Sequence, residues 1–129
     1  MKIDRLRNEI EIFRQASARF NEALEQEKNS FIRDSAIKRF EFTFELFWKT
    51  LKLYAEYEGR SANSPRSAFR EAFLLEIISE SPVWFQMLED RNNTAHAYKE
   101  KIAEEIYSRL GEYSSLMSIT INKIDDLIN

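Results

Sequence analysis

Four residues in the whole chain disturb helices by their backbone chemistry: Gly59, Pro65, Pro82 and Gly111. A sequence of 129 residues with only two glycines and two prolines has little material for hairpins or long loops. Glu, Lys, Arg, Leu, Ile, Phe and Ala fill the space between them, so the chain reads as all-α. Ile3, Leu6, Ile10, Phe13, Phe20 and Leu24 form one apolar stripe on a first helix, and Asn29 or Ser30 can cap the next. The second helix runs from about Phe31 to Glu58, where Gly59 suits a left-handed cap. Ser64-Pro65 and Ser81-Pro82 each pair a capping serine with a proline at the first helical position, opening helices three and four. A fifth helix, about Lys99 to Ile128, carries Ile102, Ile106, Tyr113, Met117, Ile124 and Ile128 on one side. Gly111 inside it suggests a bend or the close approach of a neighbour.

These segments predict a single domain over residues 1–129: an antiparallel bundle of about five helices, in which helices one, two and five are long and helices three and four form a shorter insertion. The second helix carries two apolar lines. Ile37, Phe40, Phe44, Phe47, Leu51 and Tyr54 form one; Phe42, Leu46, Leu53 and Tyr57 form the other, with Trp48 adding to the load. A helix so broadly apolar is either enclosed by its own chain or partly covered by a second copy, and the expectation taken forward is a homodimer.

Composition narrows the chemistry. With no cysteine, disulfides, thiolate nucleophiles and cysteine-based zinc sites are excluded. No apolar run approaches the roughly 18 residues of a membrane span, and the expected location is the cytoplasm. Net charge is −3, unevenly spread: residues 1–64 hold 12 basic and 11 acidic groups, residues 65–129 hold 7 and 11. Duplex nucleic-acid binders are usually basic throughout, so a nucleic-acid role here has to rest on a local site.

One stretch stands apart from the packing pattern. Asp90-Arg91-Asn92-Asn93-Thr94-Ala95-His96-Ala97-Tyr98 contains the only histidine and no apolar residue larger than alanine before Tyr98. Arginine binds phosphate or carboxylate bidentately, and histidine moves protons near neutral pH, a pair suited to phosphoryl chemistry. On a continuous helix Arg91 and Tyr98 share a face, while Arg91 and His96 point about 140° apart. A break near Asn93-Thr94, or a second copy across a two-fold axis, can bring them together. The plainer alternatives are a surface ion pair between Arg91 and Asp90, a hydrogen-bonded structural histidine, and a packing tyrosine. A lone histidine without ordered carboxylates makes no convincing metal site, and no cofactor is expected.

Arg91-x4-His96-x-Tyr98 resembles the Arg-x4-His-x-Tyr signature of HepT-like proteins in the HEPN superfamily, also described as nucleotidyltransferase substrate-binding subunits. The likeness extends to Ala36-Ile37-Lys38-Arg39-Phe40-Glu41-Phe42-Thr43-Phe44-Glu45-Leu46-Phe47-Trp48-Lys49, to Ser64-Pro65-Arg66 with Arg70-Glu71-Ala72-Phe73, and to Trp84 before Asp90-Arg91-Asn92. It departs at Leu74-Leu75-Glu76-Ile77-Ile78, where many relatives have a glycine before an apolar pair. The resemblance implies a HEPN-like four-helix-bundle core that dimerises and a minimal nucleotidyltransferase antitoxin encoded nearby. It also implies a metal-independent endoribonuclease toxin with Arg91 and His96 catalytic, Asn92 and Tyr98 supporting, and Tyr98 the site where AMP silences it. A non-catalytic substrate-binding or regulatory subunit of a two-component nucleotidyltransferase stands second. A purely structural helical dimer stands third, because it leaves the polar stretch unexplained.

Overall fold

The computed structural model describes residues 1–129. Five α-helices follow one another: α1 (Lys2–Leu24), α2 (Ser30–Tyr57), α3 (Pro65–Leu74), α4 (Val83–Asn93) and α5 (Glu100–Ile128), with a 3-10 turn at Thr94–His96 between the last two. There is no strand.

Local chemistry sets most of these boundaries. The Asn29 side chain accepts from the Ile32 N–H at 2.8 Å and starts α2. Ser64 accepts from the Ser67 N–H at 3.1 Å, and the Ser67 hydroxyl closes a reciprocal capping box with Pro65 in the first turn. The second serine-proline pair acts one residue earlier than the sequence suggests. Pro82 stands just before α4 rather than inside it, and Ser81 Oγ accepts weakly from the Val83 N–H at 3.3 Å.

Two helices end in the same way with different residues. After α2, Gly59 takes φ +82° while Gly59 N donates to Glu56 O at 3.0 Å and Arg60 N to Ala55 O at 2.8 Å. After α3, Glu76 takes φ +61° while its N donates to Phe73 O at 3.0 Å and Ile77 N to Ala72 O at 2.8 Å. Both are Schellman caps, and the second forces a glutamate into the left-handed region that glycine occupies freely. The corner where the sequence departs from its relatives therefore keeps the turn. Burial of Ile77 and Ile78 and a bond from Lys123 Nζ to Glu76 O at 2.7 Å hold it.

The core is aromatic and centred on α2. Phe13 and Phe20 of α1, Phe40, Phe44 and Phe47 of α2, Phe69 of α3 and Tyr113 of α5 are fully buried. Phe47 stacks on Trp84 of α4 with ring centroids 6.0 Å apart, and Phe40 stacks on Tyr113 at 5.6 Å. Truncating any of these rings should cost about 3–5 kcal/mol. The second apolar line of α2 is half-buried at Phe42, Leu46, Trp48 and Leu53, and Tyr57 is 38% exposed.

Polar contacts between helices give the directions. Thr43 reaches Ala16 and Arg39 reaches Arg19, so α1 and α2 are antiparallel. Arg14 reaches Asn122 and Asp125, and Ser17 meets Ser118, so α1 and α5 are antiparallel too. Consequently α2 and α5 run the same way, with α3 and α4 forming the crossover between them. Gly111 departs from expectation: a Cβ there would meet nothing within 4 Å, and α5 continues through it. No neighbour requires a glycine at that position.

Candidate functional site

The polar segment hangs from a buried anchor. Asp90, near the end of α4, accepts from Arg109 Nε at 2.7 Å, Arg109 Nη2 at 2.8 Å and the Tyr113 hydroxyl at 2.6 Å. Burial, reinforced by this bond to a carboxylate, pushes the Tyr113 hydroxyl well above the usual phenol range, so it stays a donor. The plain ion pair between Arg91 and Asp90 is thereby replaced, because the Asp90 carboxylate is taken up by Arg109 and Tyr113 of α5.

Arg91 turns the other way, towards α2. Its Nη2 lies 2.9 Å from Glu45 Oε1, and its guanidinium sits over the Phe44 ring, 5.2 Å from the centroid. Nε is buried and donates to nothing. Glu45 in turn accepts from the Trp48 indole N–H at 3.1 Å. Arg91 thus has one carboxylate partner, an aromatic floor and unused donor capacity.

The helix breaks where weak helix formers stand. α4 stops at Asn93, Thr94 Oγ1 donates back to Arg91 O at 2.7 Å, and Thr94–His96 tightens into a 3-10 turn before Lys99 leads into α5. The break removes the premise that Arg91 and Tyr98 share one helical face. Arg91, Asn92, Thr94 and Ala95 line a cleft with Glu41 and Glu45. Tyr98 lines an adjoining depression with Thr94, Ala97 and residues of α2 that include Asp34, Lys38 and Glu41. Glu41 and Thr94 border both hollows, which makes them one continuous surface.

His96 and Tyr98 stand together on that surface. Their rings meet edge to face at 6.4 Å, His96 is exposed, and Tyr98 is 78% exposed with no hydrogen bond from its hydroxyl. Within one chain no hydrogen bond joins Arg91 to His96. A larger apolar hollow lies elsewhere, between Phe69, Phe73, Trp84 and Phe85, and apart from Arg70 and Glu80 it offers no ionisable chemistry. No group of three or more His, Asp or Glu residues is arranged to hold a metal ion. Sequence reading missed Glu45 as the partner of Arg91. The two residues are far apart in the chain, and a glutamate on a solvent-facing helix position looks ordinary until the fold places an arginine on it.

The chain is thus an all-α bundle that presents a polar, interrupted segment between its last two helices. The chain belongs to the family described as nucleotidyltransferase substrate binding protein like, whose profile matches residues 8–126. It is similar to a crystal structure from Thermus thermophilus at 35% identity and a TM-score of 0.82, covering 87% of this chain and 98% of that one. It also shares the fold of HI0074 from Haemophilus influenzae, at 21% identity and a TM-score of 0.67, covering 95% of this chain and 98% of that one. The HI0074 structure is described as revealing the fold of a substrate binding domain of a nucleotidyltransferase. No curated protein matches the chain. No helix is long and apolar enough to cross a membrane.

Proposed function

We propose that this chain is the partner of a minimal nucleotidyltransferase encoded nearby, and that its Arg91-His96-Tyr98 segment is a metal-independent ribonuclease centre silenced when AMP is attached to Tyr98. The observation that carries this reading is the placement of the three residues. His96 and Tyr98 are exposed on one interrupted stretch that begins at the half-buried Arg91, and the Tyr98 hydroxyl is free for an incoming nucleotidyl group. His96 takes the proton from a ribose 2′-hydroxyl as that oxygen attacks the adjacent phosphorus. The bond from phosphorus to the 5′-oxygen of the next nucleotide breaks, leaving a 2′,3′-cyclic phosphate. The departing oxygen takes a proton from the imidazolium of a second copy, and Arg91 stabilises the charge on the phosphoryl oxygens. Asn92, beside Arg91 in the cleft, supplies a further donor. One histidine cannot readily act as base and acid in one step, so the active form is a homodimer with two segments facing each other. AMP on Tyr98 puts a bulky phosphodiester anion next to His96 and blocks the strand without unfolding the bundle.

The second reading, a non-catalytic substrate-binding subunit, is favoured by the Arg91–Glu45 pair, which compensates the guanidinium in the single chain. Purified parent, Arg91→Ala and His96→Ala proteins incubated with total RNA separate the two. Cleavage by the parent alone, with unchanged circular dichroism in the variants, supports the ribonuclease. Equal cleavage by all three removes it in favour of the subunit. Sedimentation at micromolar concentration checks the dimer, which a pure 15.4 kDa species contradicts.

A further inference from the structure

The solvent-facing line of α2 does not stop at Glu45. Glu41, Glu45, Trp48 and Lys52 fall within an arc of about 60° on an ideal helix, so the face that holds Arg91 continues along the same side. Trp48 is half-buried, its indole N–H fixed on the Arg91 partner Glu45, and it lines a second groove, between α1 and α2, with Arg5, Glu9, Lys49 and Lys52. None of the Arg5, Lys49 and Lys52 side chains forms an ion pair or a hydrogen bond, so three uncompensated cations line one groove. Glu9 is the one carboxylate set against those three cations in the groove. The groove lies in the half of the sequence whose net charge is positive.

We infer that this groove is a binding track for single-stranded RNA, with the Trp48 ring as a stacking platform and Arg5, Lys49 and Lys52 holding the backbone of the strand that leads to Arg91. This rests on the ribonuclease reading above and extends it from the reacting phosphate to the flanking nucleotides. The spacing suits a strand lying along α2, because the helix advances about 10 Å from Glu45 to Lys52 and one strand reaches both ends. Aromatic stacking with unpaired cations is the usual construction of a sequence-tolerant single-strand site, and it lets a protein of net negative charge bind RNA on one face. Glu45 sits between the two parts. When a phosphate replaces it on Arg91, its remaining contact is with Trp48, so occupation of the track and release of Arg91 are joined through one carboxylate.

The test uses the full chain carrying His96→Ala, which prevents turnover, and a fluorescein-labelled single-stranded oligouridylate. Lys49→Glu with Lys52→Glu should weaken binding at least tenfold at low salt and lower the slope of log affinity against log salt by about 1.4, the value for two single-strand phosphate contacts. Trp48→Leu should weaken it by about tenfold with the salt slope unchanged. Parental affinity and slope in all the groove variants overturn the track, even if the unmutated protein cleaves RNA. Failure of the His96→Ala protein to bind the oligonucleotide overturns it as well. Weaker binding by the groove variants, together with no cleavage by the unmutated protein, upholds the track and removes the ribonuclease. Loss of a co-expressed nucleotidyltransferase from the groove variants, with RNA binding intact, makes this face a protein contact and overturns the proposal.

Discussion

Arg33 and Arg91 both leave a helix to meet carboxylates from another, yet they serve different ends. Arg33 has a side chain 5% exposed, and it spends its donors fully: Nε on Asp34 at 3.0 Å, Nη1 on Glu100 at 2.7 Å and Glu104 at 3.0 Å, and Nη2 on Glu100 at 3.0 Å. It ties the start of α2 to the start of α5. Arg91 is 28% exposed, has Glu45 alone, and leaves Nε without an acceptor above the Phe44 ring. A saturated guanidinium is a structural rivet; an unsaturated one beside an open cleft keeps the capacity to take an anion. On the proposed function, the carboxylate that holds it is the group an incoming phosphate replaces.

The largest expected effect follows from removing the rivet. Arg33→Ala should cost about 2 kcal/mol in urea unfolding at pH 7, less than for a fully buried pair because Glu100 and Glu104 remain partly in water. Hydrogen bonds hold both carboxylates below their usual pKa, from Arg33 first for Glu100 and from Lys28 and then Arg33 for Glu104. A depressed carboxylate contributes stability that is complete above its unfolded pKa of about 4.5 and is lost as pH falls through the lower folded value. The parent should therefore lose stability as pH falls below about 4.5, and Arg33→Ala should lose less. A next, smaller effect is expected at Arg91. Arg91→Ala should cost only about 1 kcal/mol, from the cation–π contact and one half-exposed ion pair, while abolishing cleavage. A stability loss at Arg91 as large as at Arg33 would dissolve the distinction. The smallest effect belongs to Glu45→Gln, which keeps an acceptor for Trp48 but removes the charge. Its unfolding midpoint should stay near the parent's, while its affinity for oligouridylate rises severalfold at low salt.

Much of the bundle was legible because helix chemistry is local. Asn29, Gly59 and Ser64 stand where capping requires them, and the 3.6-residue spacing of Phe40, Phe44, Phe47 and Leu51 identified the central helix. The missing glycine at Glu76 was visible as a departure. That the corner would keep its left-handed turn was not, since this depends on the buried Ile77–Ile78 pair and on Lys123 from a distant helix. The interruption after Asn93 was readable from weak helix formers. Its consequence, that Arg91 and Tyr98 face different hollows, follows only from the geometry of the 3-10 turn. Asp90 and Glu45 were the least legible. Their roles are set by Arg109, Tyr113 and Arg91 arriving from other helices, which no local pattern records.

The proposed silencing rests on Tyr98, whose exposed phenol stands beside His96 while Arg91 is held by Glu45. Parent and Tyr98→Phe proteins should be incubated with the neighbouring nucleotidyltransferase, ATP and magnesium, then analysed by intact-mass and peptide mass spectrometry and assayed for RNA cleavage. The expected result is AMP on a peptide containing Tyr98 and loss of cleavage in the parent, with no added mass and retained cleavage in Tyr98→Phe. An unmodified parent, or equal addition to Tyr98→Phe, would contradict it.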